Sequence, residues 1–239
     1  MTSVNVAATV KALTHSLRQV RFAACKLLTD HPVGTLPPEI ERIPIARLGS
    51  AEAYSRFILR ALPDFIDTEH CLIIQWDGHV LDANRWRQEF LEYDYVGASW
   101  PQFDDGMDVG NGGFSLRSKA LMDLCRGSDF VAEHPEDVAI GRTHRPDLER
   151  RGVRFAPRAV ADLFSAERSG DPATTFGFHG VWNMPGALGR DEFWARYVEL
   201  DDRSSIRPDF WPMVGSMIRG IGGPMRAARM IWDRWRPVR

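Results

Sequence analysis

Long apolar runs are missing from this chain. No stretch approaches the about 18 uncharged residues that a membrane-crossing helix needs, so any membrane contact is expected to be peripheral. Cysteine is scarce: Cys25, Cys71 and Cys125 are odd in number, widely spaced and set in apolar stretches. That pattern excludes a disulfide framework or a zinc cluster and reads as buried free thiols in a reducing, cytoplasmic compartment. The start lacks the apolar core and small-residue cleavage site of a secretory signal. An excess of one charge is also lacking, since 30 Lys and Arg stand against 32 Asp and Glu. Such a balance leaves no electrostatic footprint for nucleic acid, so none is expected as a partner. The Walker spacing, the dinucleotide fingerprint, the Gly-x-Ser-x-Gly elbow and a reactive-cysteine signature are all absent. The seven histidines show no recognised metal-ligand spacing. A two-metal phosphoesterase is therefore disfavoured. What remains is a 239-residue chain, 44% hydrophobic, which suits one large globular domain with a full core.

Helix and strand patterns alternate along the first two thirds, which argues an α/β sheet. Residues 6–17 carry apolar side chains at helical spacing, and 20–28 follow as a strand-like run. A short strand is expected over 40–45, a helix capped by Ser50 over 51–62, and a continuous apolar strand over 71–74. Next come a helix over 83–92, a strand over 93–97 and an Asp- and Gly-rich loop over 100–109. An extended segment over 112–117 leads to a helix over 119–126 capped by Ser118. Another helix is expected over 136–151 despite Pro146, and a short strand over 153–156. From about residue 191 the texture turns to aromatic, Met- and Arg-rich helices, so residues 1–190 are read as the main domain and 191–239 as a helical subdomain.

Four constellations carry polar chemistry. The strand over 71–74 delivers Gln75, Asp77 and His79 to its carboxyl end, where open α/β sheets bind ligands. An acidic group there can hold a hard cation that shares its shell with phosphate oxygens, although Asp77-Gly78 is also an ordinary turn pair. The second is the glycine-rich stretch Gly110, Asn111, Gly112 and Gly113, whose backbone can approach a ligand or simply turn into the next strand. The third is Glu136 and Asp137 behind Pro135, acidic residues suited both to a helix start and to removing a proton from a hydroxyl. The fourth is His179, flanked by glycine and aromatics in an expected loop, which reads equally as a metal ligand and as a packed ring.

Taken in order, these pieces resemble a family of bacterial proteins of unassigned function that look like glycosyltransferases of the GT-A fold and often accompany surface-polysaccharide genes. The resemblance runs from about Asn5 to Asn183. It is carried by residues 17–22, 72–77, 93–100 including Trp100, 109–117, 135–137, 154–157, 164–165 with Glu167, and 176–179. It implies a mixed central sheet flanked by helices and a nucleotide-sugar donor bound through Gln75, Trp76 and Asp77. A divalent cation, manganese or magnesium, would be held by Asp77 and His179. The sugar and acceptor would lie along Trp100, Gly110, Asn111, Gly112 and Gly113, with Asp137 or Glu136 as the base. The family's Asp-x-Asp motif keeps only its second acidic position here, Gln75 standing at the first. Such folds begin on a nucleotide-binding strand, whereas little precedes the first helix here, so an empty or barely filled strand position is expected before Val6.

Two functions of different class follow. One is a glycosyltransferase, inverting if an acidic base acts directly on the acceptor and with a retaining outcome left open, passing a sugar to a saccharide or lipid-linked acceptor; the other is a non-catalytic saccharide-binding or scaffold protein descended from such an enzyme. Residues 207–239 interleave arginine with Met, Ile and Trp, a composition that serves either as peripheral contact with the inner face of the cell membrane or as packing on the core.

Overall fold

The computed structural model describes residues 1–235, so Arg236, part of the interleaved tail pattern, lies outside the described residues. The chain folds as a mixed α/β protein. The helix α1 (Val6–Gln19) packs its buried Ala8, Ala12, Leu13 and Ser16 inward, and the chain stays irregular from Val20 until the strand β1 (Cys25–Thr29). That strand pairs in parallel with β2 (Ile40–Pro44). The helix α2 (Ala51–Arg60) starts where the Ser50 hydroxyl accepts from the Ala53 N–H, a local cap that needs no tertiary partner.

The strand β3 (His70–Ile74) runs antiparallel to β8 (Phe114–Ser118), which also takes β5 (Tyr95–Val96) on its other side. Short strands extend this core: β4 (His79–Val80) follows β3, and β6 (Ala98–Ser99) pairs with β7 (Val109–Gly110). The helix α3 (Lys119–Arg126) is capped by Ser118, whose hydroxyl accepts from Leu121 N–H.

Three expected elements differ. Residues 83–92 form two 3₁₀ turns separated by extended Trp86 and Arg87 rather than one helix. Asp82 holds the Asn84 N–H, and the Trp86 ring docks edge-on against Phe90 and Phe176, which a straight helix would not allow. The helix expected over 136–151 is three pieces: α4 (Glu136–Val138), a π-helical turn (Ala139–Thr143) and α5 (Arg145–Arg150). Pro146 has no N–H and crowds the preceding turn, so it sits at the start of a new helix. The segment over 153–156 makes only an isolated bridge from Phe155 to Tyr95 before Pro157 opens α6 (Arg158–Phe164).

The strand β9 (Ser165–Ala166) then pairs in parallel with β10 (Gly177–Phe178), and β10 pairs antiparallel with β4. His179 therefore sits at the end of a strand, not within a loop. The chain closes with α7 (Met184–Ala187), α8 (Arg190–Glu199), α9 (Phe210–Met217) and α10 (Gly223–Arg234). These helices bury Phe193, Tyr197, Phe210, Met213, Met217 and Met230 in one cluster with Trp76, Ala166 and Phe178.

Between β1 and β3 lies a cavity of about 200 Å³, bordered by Leu13, Leu28, Ile66 and Ile73 together with Cys25 and Cys71. Among the described residues no strand pairing joins β1 to β3. Burial pushes the Cys25 and Cys71 thiols up to about 11 and that of Cys125 up to about 12. The nucleophile is the thiolate, so native protein at pH 8 is expected to react with Ellman's reagent roughly a hundredfold more slowly than protein unfolded in urea. Three thiols titrating at the unfolded rate under native conditions would contradict the burial described.

Candidate functional site

The carboxyl end of β3 opens into a polar cluster built from six chain segments. The Gln75 N–H still donates to Gly113 O at 2.8 Å, continuing the β3–β8 pairing, and Gly78 N–H then closes a turn on Gln75 O at 3.2 Å. Gln75 and Asp77 thereby face one side while Trp76 faces the other. The Gln75 side chain donates to Tyr54 Oη at 2.7 Å, and its Oε1 lies 3.4 Å from His179 Nε2. Asp77 is 5% exposed, with Oδ1 buried, without a hydrogen-bond partner and 3.4 Å from the same His179 Nε2.

His179 follows β10, its N–H donating to Ala166 O at 2.9 Å. Its Nδ1 lies 3.0 Å from Glu167 Oε1. The backbone oxygen of Glu167 accepts from Trp182 Nε1 and Asn183 Nδ2, both at 3.0 Å, so the carboxylate is carried on a fixed segment. Burial by itself disfavours the imidazolium, but the Asp77 and Glu167 carboxylates outweigh it and raise the ring to about 10.

The glycine stretch closes the floor. A Cβ on Gly113 would fall 1.9 Å from His179 Nε2, and one on Gly112 would fall 2.3 Å from Glu136 Oε1. Only hydrogen fits at these two positions, because site side chains lie directly against the backbone. Asn111 adopts a left-handed φ of 83° and its Oδ1 accepts from Gly113 N–H at 2.8 Å. Gly112 N–H donates to Asp137 Oδ2 at 3.2 Å. Both amides are thus committed within the protein and do not form an open cradle.

Behind this floor Arg117 is fully buried in the central strand β8 and donates from Nη2 to the buried Glu136 Oε1 at 2.8 Å. Its Nε donates to Ser115 Oγ, and the guanidinium lies 5.2 Å from the Tyr95 ring centroid. Asp137, the next residue, is only partly buried. Desolvation first, and the adjacent Glu136 charge second, push its carboxyl well above the ordinary carboxylate range. Glu136 and Asp137 are thereby separated in role: the first neutralises Arg117, while the second keeps a proton-accepting carboxylate at the edge of the cluster.

The expected site residues divide accordingly. Gln75, Asp77, Asn111, Gly112, Gly113, Glu136, Asp137 and His179 come together. Trp76 does not: it packs with Phe178 and Met184 in the C-terminal core cluster. Trp100 is also turned inward, 7% exposed and stacked against Gly110, whose added Cβ would meet the indole at 1.8 Å. His79 packs against His15 and Phe178, and burial pushes it down to about 3, leaving it neutral. Arg117 ends the 109–117 stretch noted in the sequence, but its buried pairing with Glu136, like Tyr54 and the orienting role of Glu167, was not legible beforehand, because each depends on a partner distant in sequence.

A cation could enter this arrangement only by displacing the Nε2 proton that the two carboxylates otherwise hold on His179. Asp77 Oδ1 and His179 Nε2 face each other at 3.4 Å with Gln75 Oε1 beside them, and Glu167 holds the opposite ring nitrogen, as a carboxylate orients a ligating imidazole. Among the described residues no three His, Cys, Asp or Glu side chains share a metal geometry. A hard cation here would therefore complete its shell from phosphate oxygens and water, as magnesium commonly does.

A family model described as "Protein of unknown function (DUF5672)" matches residues 38–179. The chain belongs to the DUF5672 family. The DUF5672 match covers more than half of the chain and takes in Tyr54, Gln75, Asp77, the glycine stretch, Arg117, Glu136, Asp137 and Glu167, ending on His179 itself. The helix α1, the strand β1 and the last four helices lie outside it. No curated protein matches the chain.

Two expectations follow for the cluster. Glu136→Gln leaves Arg117 as an uncompensated buried charge and is expected to lower stability by about 3–5 kcal/mol in urea titration, whereas Arg117→Met with Glu136→Leu should cost far less. The second concerns pH. Because the folded pKa of His179 lies above its unfolded value, its contribution is complete below about 6.5 and is lost as pH rises towards 10. Metal-free wild type should therefore lose more stability between pH 6 and pH 10 than His179→Gln does; equal losses would remove the two-carboxylate account.

Proposed function

We propose that this protein is a glycosyltransferase of GT-A type that moves a sugar from a nucleotide-sugar donor to a saccharide acceptor in surface-polysaccharide synthesis. The observation that carries the reading is the convergence, at the carboxyl end of β3, of the Gln75–Asp77–His179–Glu167 group with a partly buried Asp137 whose pKa is raised. Strand ends of this kind are where α/β sheets take their ligands. A raised carboxyl suits a base working near neutral pH.

In this reading the acceptor hydroxyl oxygen attacks the anomeric carbon while Asp137 takes the hydroxyl proton. The bond from the anomeric carbon to the diphosphate oxygen breaks, and its electron pair leaves with the nucleoside diphosphate. A single displacement of this kind inverts the anomeric centre. Gln75, Asp77 and His179 would hold a manganese or magnesium ion, and the chemistry such an ion supplies is neutralisation of the diphosphate charge. Glu136 takes no part in proton transfer, because its Oε1 is engaged by Arg117. The absence of an acid at position 75 favours a second reading, a saccharide-binding protein without turnover.

Nucleotide release from a panel of nucleotide sugars, with and without manganese and with a donor-only hydrolysis control, separates the two. Release that depends on an added acceptor supports the transferase, and donor binding without release supports the binding protein. Asp137→Asn is expected to lower kcat by a hundredfold or so while leaving donor affinity within a factor of about two, since a base acts in the chemical step. In the wild type the rate should climb with pH through the raised Asp137 pKa and then level. An Asp137→Asn enzyme with the parent rate and pH profile would take Asp137 out of the chemistry.

A further inference from the structure

The helices α9 and α10 form a hairpin with two apolar faces. The inner face is consumed by the core, where Phe210, Met213, Val214, Met217, Ala227 and Met230 are buried. A helix that packs on a domain needs one apolar stripe, and the opposite face is ordinarily polar. Here the opposite face carries Met225 at 76% exposure and Trp232 at 58%, with Trp235 at 79% one turn on. The connecting turn adds Ile218 at 50% and Ile221 at 96%. Trp211 adds a further 61% exposed indole from the first turn of α9. Outside this hairpin the large exposed apolar residues among those described are four scattered ones, Val4, Leu91, Val131 and Val198, of the kind any surface carries.

Charge sorts in the same direction. From Trp211 to Trp235 there are four arginines, Arg219, Arg226, Arg229 and Arg234, and one acid, Asp233, a local sum of +4 − 1 = +3 on a chain whose net is −2. Arg226 is tied to Asp191 at 2.6 Å and Arg229 to Asp233 at 2.8 Å, while Arg219 stands exposed in the turn between Ile218 and Ile221. The turn is tight: Gly222 has a left-handed φ of 71°, and an added Cβ on Gly223 would meet Ile218 O at 2.1 Å. Ile221 thereby sits at the tip of this corner, an apolar point beside the exposed Arg219. No helix among the described residues is long and apolar enough to cross a membrane.

We propose that the outer face of the α9–α10 hairpin docks on an anionic membrane surface, with Ile221 and Met225 entering the acyl boundary and Arg219 resting among the lipid phosphates. Tryptophan, a protruding aliphatic corner and interleaved arginine are what interfacial helices use, and the positive sum selects anionic lipid. The surface shares no residue with the cluster around His179, so the inference stands whether or not the transferase reading does.

The test is cosedimentation of the full-length chain with vesicles of phosphatidylcholine alone or mixed with phosphatidylglycerol, at low and high salt, with tryptophan emission as a second readout. Binding is expected to the mixed vesicles at low salt, with a blue shift, and to be weakened by salt. Ile221→Asp with Met225→Asp should abolish it with unchanged near-ultraviolet dichroism, because both side chains are exposed. Arg219→Ala should reduce partitioning about fivefold, the equivalent of about 1 kcal/mol per basic residue at an anionic surface. Full-length protein that ignores mixed vesicles at low salt would overturn the proposal. So would an Ile221→Asp, Met225→Asp protein that binds like the parent, or a dimer that dissociates in that variant while vesicle binding is absent.

Discussion

A full positive charge sits in the middle of the central strand, and much of the neighbouring architecture exists to accommodate it. Arg117 is 0% exposed, and without a partner that guanidinium would be one of the least favourable groups a protein interior can hold. Glu136 meets it from α4, Ser115 from its own strand and the Tyr95 ring from β5. Because Glu136 must reach inward past Gly112, that position has room for no side chain, and the glycine floor is pressed against α4. Asp137 then has nowhere to go but the rim, where it inherits the Glu136 charge as a neighbour. The raised Asp137 carboxyl owes most to desolvation; the Glu136 charge adds to it, and Arg117 works against it.

The His179 half of the cluster is organised by the same close contact. The ring lies flat on Gly113 and is held from both sides, by Glu167 at Nδ1 and by Asp77 and Gln75 at Nε2. Trp76, between Gln75 and Asp77, is rooted in the cluster that the C-terminal helices complete. The helices outside the family-matched region thus buttress the residue that fixes the direction of Asp77.

What could be read from the sequence was whatever is decided locally. Ser50 and Ser118 announce helix starts because an N-cap acts within three residues, and the apolar run of β3 announces a buried strand. Asp77 and Asp137 could be named as acids at an expected strand end and helix start, the glycine stretch as a turn into a strand, and His179 only as a residue of an expected loop. Readings failed where a distant partner decided the matter. Trp86 docking on Phe176 breaks an expected helix, β9 and β4 turn the run before His179 into a strand, and Trp76, His79 and Trp100 are drawn inward by packing that no local pattern encodes. Neither the Arg117–Glu136 pair nor the Tyr54–Gln75 contact stood out, because the partners lie 19 and 21 positions apart. The tail was posed as either core or surface, and α10 is both, on opposite faces.

The cavity between β1 and β3 parts the β1–β2 ribbon from the three-stranded sheet of β3, β8 and β5, and the two touch through side chains. The ribbon of β1 and β2 is held by α1 and by its own Leu27 and Ile40, which pack in one cluster with Leu13 and Ile74, with no strand pairing among the described residues joining it to the sheet that bears the site. Separate cooperative units of this kind need not open together. Amide hydrogens of β2 can thus exchange through excursions that leave β3, β8 and the Arg117 pair closed, giving the molecule a soft margin beside a rigid centre.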